Sequence, residues 1–297
     1  MRVAHDRGFF REEGIEPEVV TIGDPGVIGA ALENGSVDVA VDDTSVIASN
    51  LSRGIDLRIF GGMRVGVDLQ LVTGRDSDVP EMGDPGVTWH DVMAAMRGKT
   101  IAMPGVAVSG GRIFRALAAE AGLAETDYTL VETAAGAPLI SAVDSGRADA
   151  FMHASATSLA AENAGIGRIV LDLTPDVPEY FADLAYIAPA ALRSTLETYP
   201  DLAAKWQRAL QKAVDVIRDP ANLPYLTDVS LRTVETMPGT TDFPQLRATI
   251  ERLAPSYTAT IDAAGLDTTL DFWRKIGTLT ADVTADQLLA LPAGSSS

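Results

Sequence analysis

Residues 30–48 read AALENGSVDVAVDDTSVIA, and residues 141–159 read SAVDSGRADAFMHASATSL. Aligned on Gly35 and Gly146, the two stretches share one plan. A helix-like run ends at a glycine, an aspartate follows three residues later (Asp38, Asp149), then a short apolar strand, then small polar residues that open another helix. The echo extends upstream, where EEGIEPEVVTI (12–22) is matched by EAGLAETDYTLVET (120–133). A duplicated αβαβ unit predicts two similar lobes, and two facing lobes predict a ligand cleft.

The elements around the repeat support an α/β fold of parallel sheets flanked by helices. A helix over 1–13 is capped by Gly14, and Glu16–Ile22 reads as a strand. Asp24-Pro25 starts a helix running to Asn34, with Gly35 just past its end. Val37–Val41 reads as a buried strand, Thr44 heads a helix to Arg53, and Leu57–Phe60 and Leu69–Thr73 are further strands. Residues 74–90, rich in Gly, Pro and Asp, form a connection. The pattern then restarts with a helix at Asp91–Met96 and strand Thr100–Met103. Helix Arg112–Ala121, strand Tyr128–Glu132, helix Pro138–Ser145, strand Ala148–Met152, helix Ala156–Ala164 and strand Arg168–Leu173 follow. Ala185–Ile187 reads as a return strand, and the chain is helical from Pro189. The second repeat is therefore an insertion. Lobe 1 comprises 1–75 and 185–297, lobe 2 comprises 90–180, and 76–89 and 181–188 are the connections and hinge.

Composition narrows the function. Forty-one acidic residues against 23 Lys and Arg give a net charge of −18, which argues against a nucleic-acid partner because phosphates need a basic face. With no cysteine, disulfides, thiolate metal sites and Cys nucleophiles are excluded. The three histidines, His5, His90 and His153, form no metal-binding spacing, and no cofactor or metal is expected. No GxSxG elbow, Walker motif or GxGxxG fingerprint occurs. The opening MRVAHDRGFFREEG has no apolar h-region, so no signal peptide is visible.

In open α/β sheets, ligands bind beyond the carboxyl ends of the strands. The repeat puts Asp42, Asp43, Thr44 and Ser45 at one such end, and His153, Ala154 and Ser155 at the equivalent one. A third candidate is PGVAVSGG (104–111), whose small residues let backbone N–H groups approach a ligand at a helix start. Each has a structural alternative. Thr44 and Ser155 suit helix N-caps, Asp42 and Asp43 suit first-turn acids, and His153 suits a satisfied structural histidine. Gly35 and Gly146 read as caps, Asp38 and Asp149 as turn or capping residues, and Trp89, Trp206 and Trp273 as packing residues.

Six blocks carry a family resemblance: DRGFFREEGIEPEVV (6–20), AALENGSVDVAV (30–41), GIDLRIFGG (54–62), MRGKTIAMPGVAVSGG (96–111), AEAGLAETDYTLVE (119–132) and AVDSGRADAFMHASAT (142–157). In this order they resemble the substrate-binding components of ABC importers for nitrate, aliphatic sulfonates, taurine and thiamine-pyrimidine precursors. The resemblance implies a two-lobed type II periplasmic-binding-protein fold, closing on a small molecule by hinge motion and delivering it to an ABC permease. It implies an extracytoplasmic monomer that is not an enzyme, or a cytoplasmic protein if Met1 is the genuine start. By position it assigns ligand contacts to Asp42, Asp43, Thr44 and Ser45, to Arg64 and Asp68 in the segment Met63–Asp68, to Ser109, Gly110 and Gly111, and to His153 and Ser155.

The chain departs from the family pattern in two respects. The family begins with a strand inside lobe 1 that is missing ahead of the first helix here. Asp42-Asp43 also places negative charge where an oxyanion binder wants donors, since a desolvated carboxylate facing an anion is costly. That favours a neutral or cationic nitrogen-bearing ligand, such as a pyrimidine or amine, while Arg64 and Arg112 keep a sulfonate- or nitrate-type anion open. Fungal relatives make the thiamine pyrimidine with cysteines, which this chain lacks. A sensor domain, or a lyase or synthase using Asp42, Asp43 or His153 for proton transfer, are the rival readings.

Overall fold

The computed structural model describes all residues except 21, 23–26, 108, 174–176, 178–180, 182, 234–243 and 291–297. In chain order its elements are α1 (Arg2–Asp6), α2 (Phe9–Glu12), α3 (Ile28–Glu33), β1 (Ala40–Asp43), α4 (Thr44–Ser52), β2 (Leu57–Ile59), β3 (Arg64–Val65) and β4 (Gln70–Gly74). Next come α5 (Trp89–Ala94), β5 (Thr100–Met103), α6 (Ser109–Glu120), β6 (Thr129–Glu132), α7 (Ala137–Asp144), β7 (Ala150–His153), α8 (Ser155–Asn163) and β8 (Gly167–Asp172). The remainder is β9 (Ala185–Leu192), α9 (Arg193–Thr198), α10 (Leu202–Arg218), α11 (Leu223–Thr233), α12 (Pro244–Leu253), α13 (Ala263–Lys275) and α14 (Ala285–Leu288). The chain divides into two compact units. The first comprises Met1–Gly66, Asp183–Leu226 and Ile250–Ser297; the second comprises Val67–Ala182 and Thr227–Thr249.

In the first unit, β9 is the central strand. It pairs antiparallel with β1 on one edge (Ala40 opposite Ala190, Asp43 opposite Ile187) and with β2 and β3 on the other. The expected parallel pairing does not occur in this sheet, because β9 enters after residue 183 and runs opposite to its neighbours. The sequence AYIAPAAL looked helical from Pro189 on, yet β9 extends to Leu192 and most of it is buried. Small alanines are what a strand clamped on both edges and both faces can accommodate. Trp206 on α10 packs against Phe10 and Phe60, with ring centres 4.7 and 5.7 Å away, so it is a packing residue as expected.

Four expected elements differ at the amino end. The helix over 1–13 is broken at Gly8, which has a φ of +74°, into α1 and α2, and the strand over Val37–Val41 is displaced to β1, Ala40–Asp43. Among the described residues the strand over Glu16–Ile22 does not form: 15–20 has no regular secondary structure and pairs with no strand, and residue 21 lies outside the described residues. The start of the helix expected at Asp24-Pro25 falls outside the described residues; the described helix α3 begins at Ile28, with Val27 as its N-cap.

The second unit holds a five-stranded sheet in the order β6-β5-β7-β4-β8. Here β5 is parallel to β6 and to β7, as the alternation of strands and helices predicts, while β4 runs antiparallel to both β7 and β8. Consequently the carboxyl ends of β5, β6, β7 and β8 and the amino end of β4 lie at one end of the sheet. Val72, Ala102, Leu139, Ile140, Phe151 and Ala161 form the core beneath α7 and α8, each fully shielded from water. Burying a side chain as large as Leu, Ile or Phe contributes about 1.5–3 kcal/mol. Thr88 and Asp91 form a capping box that starts α5 at Trp89, two residues before the expected start. Gly35 and Gly146 end α3 and α7 at φ of +72° and +69°, the caps the repeat predicted.

Candidate functional site

In the first unit, the turn from β1 into α4 carries the acidic pair. Asp43 is the helix N-cap: its Oδ1 accepts from the backbone N–H of Ser45 (2.7 Å) and Val46 (3.3 Å) and from the Ser45 hydroxyl (2.5 Å). The cap is therefore Asp43, not Thr44. Thr44 is fully buried, donates to the carbonyl of Ala185 on β9 (2.9 Å) and accepts from the indole N–H of Trp273 on α13 (3.1 Å). With its one donor spent, Thr44 locks three elements together, and Trp273 does more than fill space.

Asp42 is different. One oxygen accepts the backbone N–H of Asp43 (2.7 Å), while Oδ2 is buried with no hydrogen-bond partner among the described residues. Burial raises its pKa to about 7, the charge of Asp43 adds to the shift, and the Asp43 N–H partly offsets it. Across β9, Arg64 lies opposite Ile187, the same residue that Asp43 faces from the other edge. The Arg64 guanidinium carbon sits 6.0 Å from the ring centre of Tyr186.

In the second unit, three predicted residues come together. Asp68 is buried and accepts the hydroxyl and the backbone N–H of Ser155. Ser155 thus serves neither as a side-chain N-cap, since α8 is headed by Ala154, nor as a free hydroxyl. His153, at the end of β7, shares a 2.7 Å hydrogen bond with Thr157. Burial lowers the His153 pKa to about 4 against an opposing pull from Asp68, so its imidazole is neutral near pH 7. Opposite His153 on β4 is Gln70, whose amide N–H donates to Asp172 (2.5 Å) while its Oε1 is buried without a partner among the described residues.

The start of α6 lies at the same end of the sheet, because β5 neighbours β7. The helix begins at Ser109, three residues before the expected Arg112, so Ser109, Gly110 and Gly111 form its first turn. Val108, just ahead of it, lies outside the described residues. The two glycines differ. A Cβ on Gly111 would collide with the backbone of Val106, so this position holds the loop against the helix; a Cβ on Gly110 would meet open space. Arg115 reinforces the loop by donating to the Val106 carbonyl (2.6 Å). Arg112 keeps a buried Nε–H that finds no acceptor among the described residues.

Gln70, Asp172, Thr157 and Tyr186 were not anticipated as parts of these clusters. Only Thr157 carried a signal, four residues beyond His153 at the head of α8. The others are placed by strand register, which a single sequence does not display. Among the described residues no three His, Asp or Glu side chains are grouped to hold a metal ion, and no helix is long and apolar enough to cross a membrane.

The sequence profile of the NMT1/THI5-like family matches residues 1–222. The chain belongs to this family. No curated protein sequence matches it. Among solved structures, this NMT1/THI5-like chain resembles the alkanesulfonate-binding protein SsuA from Xanthomonas axonopodis pv. citri bound to MOPS. That match has a TM-score of 0.69 at 16% identity, covering 97% of this chain and 93% of the other. The periplasmic aliphatic sulphonate binding protein SsuA from Escherichia coli matches at 0.69 and 17%, covering 97% and 92%. The periplasmic nitrate-binding protein NrtA from Synechocystis PCC 6803 matches at 0.61 and 14%, covering 98% and 88%. The fold is thus that of the periplasmic binding proteins, as the resemblance implied, with mixed rather than purely parallel sheets.

Proposed function

We propose that the protein is the solute-binding component of an ABC-type importer, working as a monomer outside the cytoplasm, and that its ligand is a small organic molecule bearing an oxyanion such as a sulfonate. Family membership and the sulfonate- and nitrate-binding structural neighbours support the binding role. The ligand class rests on one observation. At the first turn of the twelve-residue helix α6, where the helix dipole favours an anion, Gly110 leaves open space and Arg112 has a buried Nε–H in need of an acceptor. The acidity that argued against an anion is also weaker than the sequence suggested. Asp43 spends its charge on the α4 cap, and Asp42 is largely protonated below pH 7. Capture proceeds by domain closure, the ligand shifting an open–closed equilibrium toward the form that the permease recognises.

A second reading, a nitrogen-bearing ligand, is favoured by the unpartnered Asp42 Oδ2, which can accept from an amine or aminopyrimidine. Calorimetric titration with an alkanesulfonate, nitrate and an aminopyrimidine at pH 6 and pH 8 separates the two. An oxyanion seated at the start of α6 binds about equally at the two pH values, and Arg112→Gln weakens it about 10- to 100-fold, the loss of one charge-assisted hydrogen bond. A protonated amine binds more tightly at pH 8. Failure of all sulfonates and nitrate would sink the oxyanion reading. Recovery of a chemically altered ligand would replace binding by catalysis.

A further inference from the structure

Three polar side chains stand in a row across the sheet of the second unit. Gln70 opens β4, and its neighbours in register are His153, which ends β7, and Asp172, which ends β8. Register partners carry their side chains on one face of a sheet. Val72 and Phe151, two residues along their strands from Gln70 and His153, belong to the core beneath α7 and α8, so the row continues that face to the end of the sheet where α6 begins. Gln70 is only 3% exposed. Its amide N–H donates to Asp172 at 2.5 Å, and turning the amide over would set its oxygen against the carboxylate. That contact fixes Oε1 as an acceptor directed away from Asp172, and it finds no donor among the described residues. His153 is tied through Nδ1 to Thr157. A buried acceptor without a donor is costly, and the core positions beside it, Val72 and Phe151, are apolar, so packing alone does not call for an amide here.

Given the oxyanion proposed for the start of α6, we propose that Gln70 determines specificity elsewhere on the same ligand: its Oε1 accepts from a hydroxyl group, and the substrate class is a hydroxyalkanesulfonate rather than a plain alkanesulfonate. The Asp172 carboxylate polarises the Gln70 amide and strengthens Oε1 as an acceptor. A hydroxyl suits this acceptor better than an ammonium group does. The amide is uncharged, the His153 imidazole beside it is neutral near pH 7, and the carboxylates of Asp172 and Asp68 are already engaged by Gln70 and Ser155. A site built to pair with a substrate hydroxyl discriminates against the analogue that carries a methyl group instead, because the methyl supplies no hydrogen bond and excludes water from the acceptor.

The test titrates the full chain at pH 7, by calorimetry, with three sulfonates of one size: 2-hydroxyethanesulfonate, propane-1-sulfonate and 2-aminoethanesulfonate. The expected result is that the hydroxy compound binds at least about tenfold more tightly than the propane compound, and that Gln70→Met reduces this ratio to about twofold or less while leaving the affinity for propanesulfonate within about twofold. NMR of the parent reads the same contact without a variant: the Gln70 side-chain amide protons, held on Asp172, are expected to shift with the hydroxy compound and to stay in place with propanesulfonate. Equal binding of all three sulfonates by the parent would overturn the proposal, with an internal water as the donor, and would leave the oxyanion reading standing. A ratio that survives Gln70→Met, or tightest binding of the ammonium compound, would also overturn it. Failure of all three to bind would defeat the oxyanion reading itself, and this assignment with it.

Discussion

Replacing Asp42 by Asn removes a titration that runs opposite to that of most carboxylates. In the folded chain the Asp42 carboxyl has a pKa of about 7, against 3.8 unperturbed. Between those values the native state keeps the proton and the unfolded state has released it, so stability falls as pH rises through this window. At 1.36 kcal/mol per pKa unit, the folded state carries a penalty of about 4 kcal/mol once Asp42 is ionised. Asparagine keeps the acceptor for the Asp43 N–H but never ionises, and its buried amide costs about 1 kcal/mol at every pH. Relative to the parent, Asp42→Asn is therefore expected to gain about 2.5–3 kcal/mol of stability between pH 5 and pH 8. Urea unfolding of both proteins at each pH measures this; the gain corresponds to roughly 1 M in midpoint for an m-value near 3 kcal/mol/M. Comparing variant with parent cancels every other titrating group. A gain that changes by less than about 0.5 kcal/mol between pH 5 and pH 8 would refute the buried, charge-crowded environment assigned to Asp42. Asp43→Asn sharpens the test, because it keeps a capping oxygen while removing the neighbouring charge, so the window should move to lower pH.

The His153 ring should titrate near pH 4 by NMR, and a midpoint at 6 or above would contradict its burial. Because its native pKa lies below the unfolded 6.5, its contribution is intact above 6.5 and lost as pH falls to about 4, by up to about 3 kcal/mol, a loss that His153→Asn should abolish in acid unfolding curves. Thr44→Val strands the Trp273 N–H and the Ala185 carbonyl, and should cost about 2–4 kcal/mol in denaturant unfolding; a cost under 0.5 kcal/mol would show that the hydroxyl is not the link between β9 and α13. Gly111→Ala should destabilise by about 1–3 kcal/mol and weaken sulfonate binding by displacing the backbone at Val106, whereas Gly110→Ala should leave stability within about 0.5 kcal/mol; equal effects at the two positions would contradict the packing at α6.

How much of this was legible in the sequence follows from what each residue's role depends on. The repeat around Gly35 and Gly146 was readable because local chemistry dictates it: a glycine at positive φ ends a helix, and an apolar run follows. The same logic located the carboxyl ends of β1 and β7 to within two residues, and hence Asp42–Ser45, His153 and Ser155, but it placed the start of α6 three residues late. Roles within those ends depended on geometry that spacing does not carry. Thr44 looked like a cap because it is the residue type that caps, yet Asp43 one position earlier takes the two N–H groups and frees the threonine to hold β9 and Trp273. Ser155 looked like the equivalent of a cap, yet its partner is Asp68, 87 positions away. Gln70 and Asp172 were invisible because they meet only through the β4–β8 register. The two elements misread outright, β9 and 15–20, fail in opposite directions for one reason. An alanine-rich segment becomes a strand when neighbours supply both edges, and a valine-bearing segment does not when neither edge is supplied. Strand formation is thus a property of the partner as much as of the sequence.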